Sequence, residues 1–151
     1  MLIRPGRASD VDGLVELGRK HHAEGFTRLG YDGAKVEKLI MSHMTDANKF
    51  GRVAEKDGEI IGAIAGWMGE YPYSRDLVAT DSWFFIDPTK RGGVAALRLM
   101  AEFKTWARER GAKEIYISVS SGYHLEKMDK LFNRVGFNCV GGVYQCWLEE
   151  V

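Results

Sequence analysis

Cysteine is scarce in this chain: only Cys139 and Cys146 occur among 151 residues. They form no Cys-x-x-Cys pair and no disulfide framework, so both read as half-buried strand residues. Net charge is missing as well, because 21 basic side chains are matched by 21 acidic ones. No overall positive field gathers nucleic acid or an anionic membrane, and any basic site must be local. Long apolar runs are absent: nothing approaches the roughly 18 residues of a membrane span, and the opening Met1 to Asp10 has no apolar leader segment. A cytoplasmic chain without nucleic-acid or membrane partners is the expectation. Three prolines and no low-complexity tract leave no linker, which implies a single domain over residues 1–151.

What is present is ample core material. Hydrophobic residues make up 45% and charged residues 28%, a balance that excludes intrinsic disorder. A short strand at Leu2 to Arg4 precedes Ser9 and Asp12, a capping-box-like start for a helix carrying Val11, Leu14, Val15 and Leu17 to about Glu24. Val36, Leu39, Ile40, His43 and Met44 share the face of a second helix. Asp57-Gly58 joins two strand-like runs, Arg52 to Lys56 and Glu59 to Met68, as an antiparallel hairpin. A fourth strand from Leu77 to Ile86 stops at Asp87-Pro88.

Ala96, Leu99, Met100, Phe103 and Ala107 mark a third helix ending near Gly111, and Glu114 to Val119 a fifth strand. Leu125 to Val135 form a fourth helix closed by Gly136, and Gly141-Gly142 within Phe137 to Glu149 reads as a last hairpin. The fold class is therefore α/β (α+β): a mixed, mostly antiparallel sheet of about seven strands flanked by four helices.

The chemistry-bearing stretch is Asp81 to Ala96, DSWFFIDPTKRGGVAA. A strand passes through Asp-Pro into a Lys-Arg-Gly-Gly turn and directly into a helix. Glycines admit close backbone approach, the first-turn N–H groups lack intrahelical partners, and the helix dipole adds positive charge there. A phosphate or pyrophosphate fits that position, with Lys90 and Arg91 adding charge-assisted bonds. The pattern is neither a Walker A loop nor GxGxxG.

These residues resemble the GNAT superfamily of acetyl-CoA-dependent N-acetyltransferases, in which a strand ending in Val-x-Pro leads to Arg/Gln-x-x-Gly-x-Gly/Ala at a helix start. The match is Ile86-Asp87-Pro88 followed by Arg91, and it is joined by the opening Ile3-Arg4-Pro5, the DGEIIGAIAG hairpin and the LFNRVGF segment from Leu131 to Phe137. Counting from Arg91 puts Val94 and Ala96 at the two small-residue positions; counting from Lys90 puts Gly93 and Ala95 there. The Arg91 register is preferred because Pro88 and Leu99 then keep the family spacing. The compact length and the Arg-Gly-Gly-Val-Ala-Ala variant look most like small phage-borne or bacterial members.

The resemblance implies acetyl-CoA as cosubstrate, held by Phe85, Ile86, Lys90, Arg91, Gly92, Gly93, Val94, Ala95 and Ala96. The pantetheine arm would pair with the fourth strand as an added strand, with an oxyanion donor among the backbone amides of Phe84 to Ile86. It implies N-acetyl transfer to a primary amine of a small molecule or protein, by direct attack in a ternary complex; the alternative is a CoA-binding module with little catalysis. A lysine-like amine with a pKa of about 10.4 is almost wholly protonated at neutral pH, so a base is needed. Asp81, on the fourth strand, is the expected one. Where the family often carries a proton-donating tyrosine, this chain has Phe132, which has no proton to give. Tyr123, His124 or Tyr144 is then the donor, or the thiolate leaves to solvent. His22, Tyr31, Tyr71 and Tyr73 are expected around the acceptor. His21, His22, Glu24 and His43 lack the converging geometry of a metal site, and no metal is expected. A homodimer through the C-terminal strands is a family analogy.

Overall fold

The structure is a computed structural model that describes residues 1–122 and 124–148. It contains strand β1 (Leu2–Pro5), helices α1 (Val11–Gly25) and α2 (Gly33–Thr45), and strands β2 (Lys49–Lys56), β3 (Glu59–Glu70) and β4 (Leu77–Ile86). Helix α3 (Ala95–Glu109), strand β5 (Glu114–Tyr116) and helix α4 (Leu125–Arg134) follow. The sheet has the order β1-β2-β3-β4-β5, antiparallel throughout except for the parallel pairing of β4 with β5.

Each element follows from its local chemistry. Asp57 and Gly58 both take positive φ, at 53° and 79°, as the tight turn between β2 and β3 demands. Helix α1 begins at Val11 as the sequence implies, but its N-cap position is Asp10 and not Ser9. A 3-10 turn over Ala8–Asp10 leads in, and the Asp10 carboxylate accepts the Arg7 N–H at 2.7 Å. Asp10 also takes both arms of the Arg4 guanidinium at 2.7 and 2.9 Å, a buried pair that pins the turn to β1. Asp32 caps α2 by accepting from Lys35 N–H.

One core layer packs α3 on the sheet: Phe50, Ile64, Leu99, Met100 and Phe103 are buried to 1% exposure or less. A second layer sets Leu14 and Leu17 of α1 on Val53, Ala63 and Phe85. Gly66 is required between β3 and α3, since a Cβ there would lie 2.7 Å from the Phe103 ring and 2.7 Å from the Thr80 carbonyl oxygen.

The sheet has five strands among the described residues, fewer than the sequence implies. The expected last hairpin does not form: residues 137–148 carry no strand. Val140, Val143, Tyr144 and Leu148 in that tail are exposed and cover no sheet face, and a hairpin without a buried face is not stable by itself. Cys139 and Cys146 are accordingly exposed free thiols and not half-buried strand residues.

Candidate active site

The site begins with a break in the sheet. Between β3 and β4 the register shifts so that Ala65 opposes Trp83 while Gly66 opposes Asp81, leaving Ser82 as a bulge. Beyond it, β4 loses its other neighbour. Pairing with β5 covers only Val78 to Thr80, and the strands then part, with the Ser118 N–H reaching the Asp81 carboxylate at 3.2 Å across the fork.

The open cleft that results has a volume of about 1150 Å³. Its walls are β4 from Asp81 to Ile86 and the segment 117–121, and its end is the turn Arg91 to Ala96 at the start of α3. Gly92 has φ of 92°, a conformation that favours glycine, and neither Gly92 nor Gly93 has any heavy atom within 4 Å of where a Cβ would stand. The first-turn amides of α3 thus border open space with no intrahelical acceptor, as an anion cradle requires.

Alternation along β4 divides the cleft into two halves. Phe84 and Ile86 pack toward the α3 layer, whereas Trp83 and Phe85 pack toward α1. On the α3 side lie the Gly92-Gly93 turn, Ile117, Met128, Leu131 and Phe132. Phe132 packs edge-on to Phe137, an apolar contact that brings no proton to this wall. On the α1 and α2 side lie Phe26, Tyr31, Leu39, Ile40, His43 and Trp83.

Side-chain charges at the cradle are already engaged. Arg91 donates from Nε to the Ile86 carbonyl at 3.1 Å and places its two terminal nitrogens on Glu24 at 2.7 and 2.6 Å. Sequence reasoning puts that fork on phosphate; in the structure it is paired with Glu24 of α1. Lys90 pairs with Glu59 at 3.3 Å. Asp87 caps the turn over Pro88–Lys90 by accepting from Thr89, and Lys20 binds it at 2.6 Å. Burial alone would raise the Asp87 pKa, but Lys20 and the Thr89 donors outweigh it and hold the carboxyl at about 2.

Among the described residues no cation is paired with Asp81. Burial raises its pKa above the ordinary carboxylate value, opposed by the backbone N–H groups of Ser118 and of Asp81 itself. One residue along, on the opposite face, Ser82 meets His43. The His43 Nδ1 lies 2.9 Å from the Leu39 carbonyl, which can only accept, so Nδ1 carries the proton and Nε2 receives the Ser82 hydroxyl at 3.0 Å. Burial lowers the His43 pKa, which keeps this tautomer neutral.

The other expected residues divide. His22 Nε2 donates to the Leu29 carbonyl at 2.7 Å and the Tyr31 hydroxyl to the Val15 carbonyl at 2.6 Å, and both residues border the cleft. His124 borders it too, its Nε2 3.3 Å from Glu24. Tyr71 and Tyr73 do not: they sit on the β3–β4 loop, at the far end of β4 from the fork, and contact each other at 5.6 Å. Tyr144 is 98% exposed outside the cleft. Tyr123 lies outside the described residues. No group of three or more His, Cys, Asp or Glu among the described residues is arranged for a metal ion.

Residues 18–137 match the model of the acetyltransferase (GNAT) family. The chain belongs to that family. Acetyl-CoA is the acyl donor of GNAT enzymes, and the open β4 edge with the unobstructed amide turn fits it. Solved structures of the same fold include a transcriptional regulator from Bacillus halodurans C-125, at 19% identity over 97% of this chain and 99% of that one, with a TM-score of 0.78. AAC(6')-Iy, in complex with the bisubstrate analogue CoA-S-monomethyl-acetylneamine, is 18% identical over 98% and 97% of the two chains, with a TM-score of 0.77. The ribosomal-protein-alanine N-acetyltransferase of Brucella melitensis is 14% identical over 98% and 99%, with a TM-score of 0.72. No curated protein is significantly similar to this GNAT chain in sequence.

Sequence reasoning missed three features of this GNAT site: the Ser82–His43 contact, the Glu24 partner of Arg91, and the stacking of His21 on Phe85 at 4.7 Å. Only the helical face carrying His43 hinted at the first. The bulge that aims Ser82 has no local signature.

Proposed function

We propose that this chain transfers acetyl from acetyl-CoA to a primary amine by direct attack in a ternary complex. The observation that carries the reading is the β4/β5 fork opening onto the unobstructed N-terminus of α3. When bound, acetyl-CoA supplies an acetyl thioester. The Gly92 to Ala96 amides hold the pyrophosphate, and the unpaired edge of β4 holds the pantetheine arm as an added strand. Backbone amides beyond the bulge are aimed at the developing oxyanion, which costs no reorganisation during reaction.

The amine must lose a proton, and the geometry offers two acceptors on opposite faces of β4. Asp81 is the first: burial raises its pKa above the ordinary carboxylate value, which makes the carboxylate a stronger base. The Ser82–His43 pair is the second reading, favoured by its position on the α2 side of β4 with Nε2 free of a proton. With Phe132 on the cleft wall, the thiolate takes its proton from solvent or from His124. Calorimetric titration with acetyl-CoA tests the reading first. Micromolar binding, followed by amine-dependent thiol release, supports it; no binding overturns it, and binding without thiol release for any amine leaves a CoA-binding module in its place.

A further inference from the structure

The acceptor half of the cleft is poor in negative charge. Among the described residues that line the whole cleft, Glu24 and Asp81 are the only carboxylates. Glu24 is spent on Arg91 at 2.7 and 2.6 Å and on His124 at 3.3 Å. Asp81 stands at the fork, where the Ser118 N–H meets it. Against these stand Arg52, Lys90, Arg91 and Lys127 on the same lining. Asp81 serves the reacting amine; any further ammonium carried into this half finds no unengaged carboxylate among the described lining residues to replace its water, and the penalty is repeated for every extra ammonium the ligand bears.

The same half is rich in rings and aliphatic surface. Trp83 and Phe85 stand side by side on β4, with ring centroids 6.4 Å apart, and His21 bridges them from α1 at 4.7 Å to Phe85 and 5.8 Å to Trp83. Phe26 adds an edge contact to His21 at 5.1 Å. Burial pushes the His21 pKa down to about 4, so this ring is uncharged at neutral pH and behaves as part of the apolar wall. Leu39 and Ile40 close the opposite side from α2. Leu39 is 52% exposed, an aliphatic side chain at the mouth of the cleft.

From this lining we infer that the acceptor is a monoamine carried on an aromatic or apolar body, and that polyamines and aminoglycosides are poor acceptors. The inference rests on the transferase reading above and narrows it. One amine gives up its proton to the base for attack, and the remainder of the ligand gains from leaving water against Trp83, Phe26 and Leu39. A ligand with several ammonium groups gains no such burial and loses hydration at each charge.

The test is a thiol-release assay on the full chain at saturating acetyl-CoA, with 2-phenylethylamine and tryptamine set against spermidine and neamine. The monoamines are expected to exceed the polyamines in kcat/KM by roughly 100-fold, the scale at which a site rejects unpaired polar groups. A Leu39→Glu variant, which adds a carboxylate at an exposed position, is expected to narrow that ratio by roughly tenfold. A Leu39→Gln variant separates packing from charge: it loses the same apolar contact, so it lowers kcat/KM for the monoamines and leaves spermidine and neamine unchanged, whereas Leu39→Glu also raises kcat/KM for spermidine and neamine. Preference for spermidine or neamine overturns the inference, as does a Leu39→Glu variant with no gain for spermidine and neamine. So does failure of both monoamines in a protein that binds acetyl-CoA by calorimetry. Absence of acetyl-CoA binding is a different failure: it overturns the transferase reading itself, and this inference with it.

Discussion

Arg91 and Glu24 meet in a two-bond fork at 2.7 and 2.6 Å, which ties the last turn of α1 to the loop that opens α3. The arginine expected to face phosphate is neutralised by the same helix that borders the acceptor half of the cleft. Glu24→Gln is expected to release Arg91 toward the cradle and remove a nearby negative charge, tightening acetyl-CoA several-fold at low salt and less at high salt. Calorimetry at two ionic strengths checks it; weaker binding in the variant would show that the fork preorganises the site.

Proton removal can be assigned by comparing Asp81→Asn with Ser82→Ala and His43→Gln. If Asp81 is the base, Asp81→Asn lowers kcat by roughly 100-fold and the other two change it little. Because burial raises the Asp81 pKa, the acid limb of the wild-type rate profile lies above the ordinary carboxylate range. Activity falls as pH drops through that raised value. A larger loss in His43→Gln, with KM nearly unchanged, moves the role to the Ser82–His43 pair.

Acid lability should come in two stages. His21 is held at about 4, below its ordinary value of 6.5, by burial, so the unfolded chain binds the extra proton between those values and stability falls as pH drops through that window. His43, lowered for the same reason, adds to it. Asp87, held at about 2, contributes stability that is complete above its ordinary value of 3.8 and is lost as pH falls from there toward 2. Urea unfolding of His21→Phe is expected to show a flatter stability profile between pH 6.5 and 4 than wild type.

The Arg4–Asp10 pair should be costly to break from one side only. Both residues are buried, at 8% and 7% exposure, and Asp10 also holds the Arg7 N–H. Asp10→Ala leaves the guanidinium with Glu55 as its remaining carboxylate and is expected to cost about 3 kcal/mol in denaturant unfolding.

Gly66→Ala should disturb the fork through the core. The added methyl would stand 2.7 Å from both the Phe103 ring and the Thr80 carbonyl, and the second of these is backbone that cannot rotate away. A loss of about 1–3 kcal/mol is expected, with weakened acetyl-CoA binding because the bulge beside Gly66 aims β4.

Periodicity and turn chemistry made much of the scaffold legible. The Asp57-Gly58 hairpin and the limits of β4 are local properties, carried by positive φ and by Pro88. The third helix is likewise legible, since its apolar stripe repeats within a few turns. The final hairpin was not, because an apolar run flanking Gly141-Gly142 looks the same whether or not a sheet face exists to receive it.

The same division holds at the site. Sequence by itself determined the amide turn before α3 and the acidic residue on β4, since both depend on residue order along one stretch of chain. Only tertiary structure decided that Arg91 turns to Glu24, that Ser82 bulges onto His43, and that His21 lies flat on Phe85. Those contacts join residues 67, 39 and 64 positions apart. No local pattern encodes them, because each depends on how the sheet breaks and which helix face the break exposes.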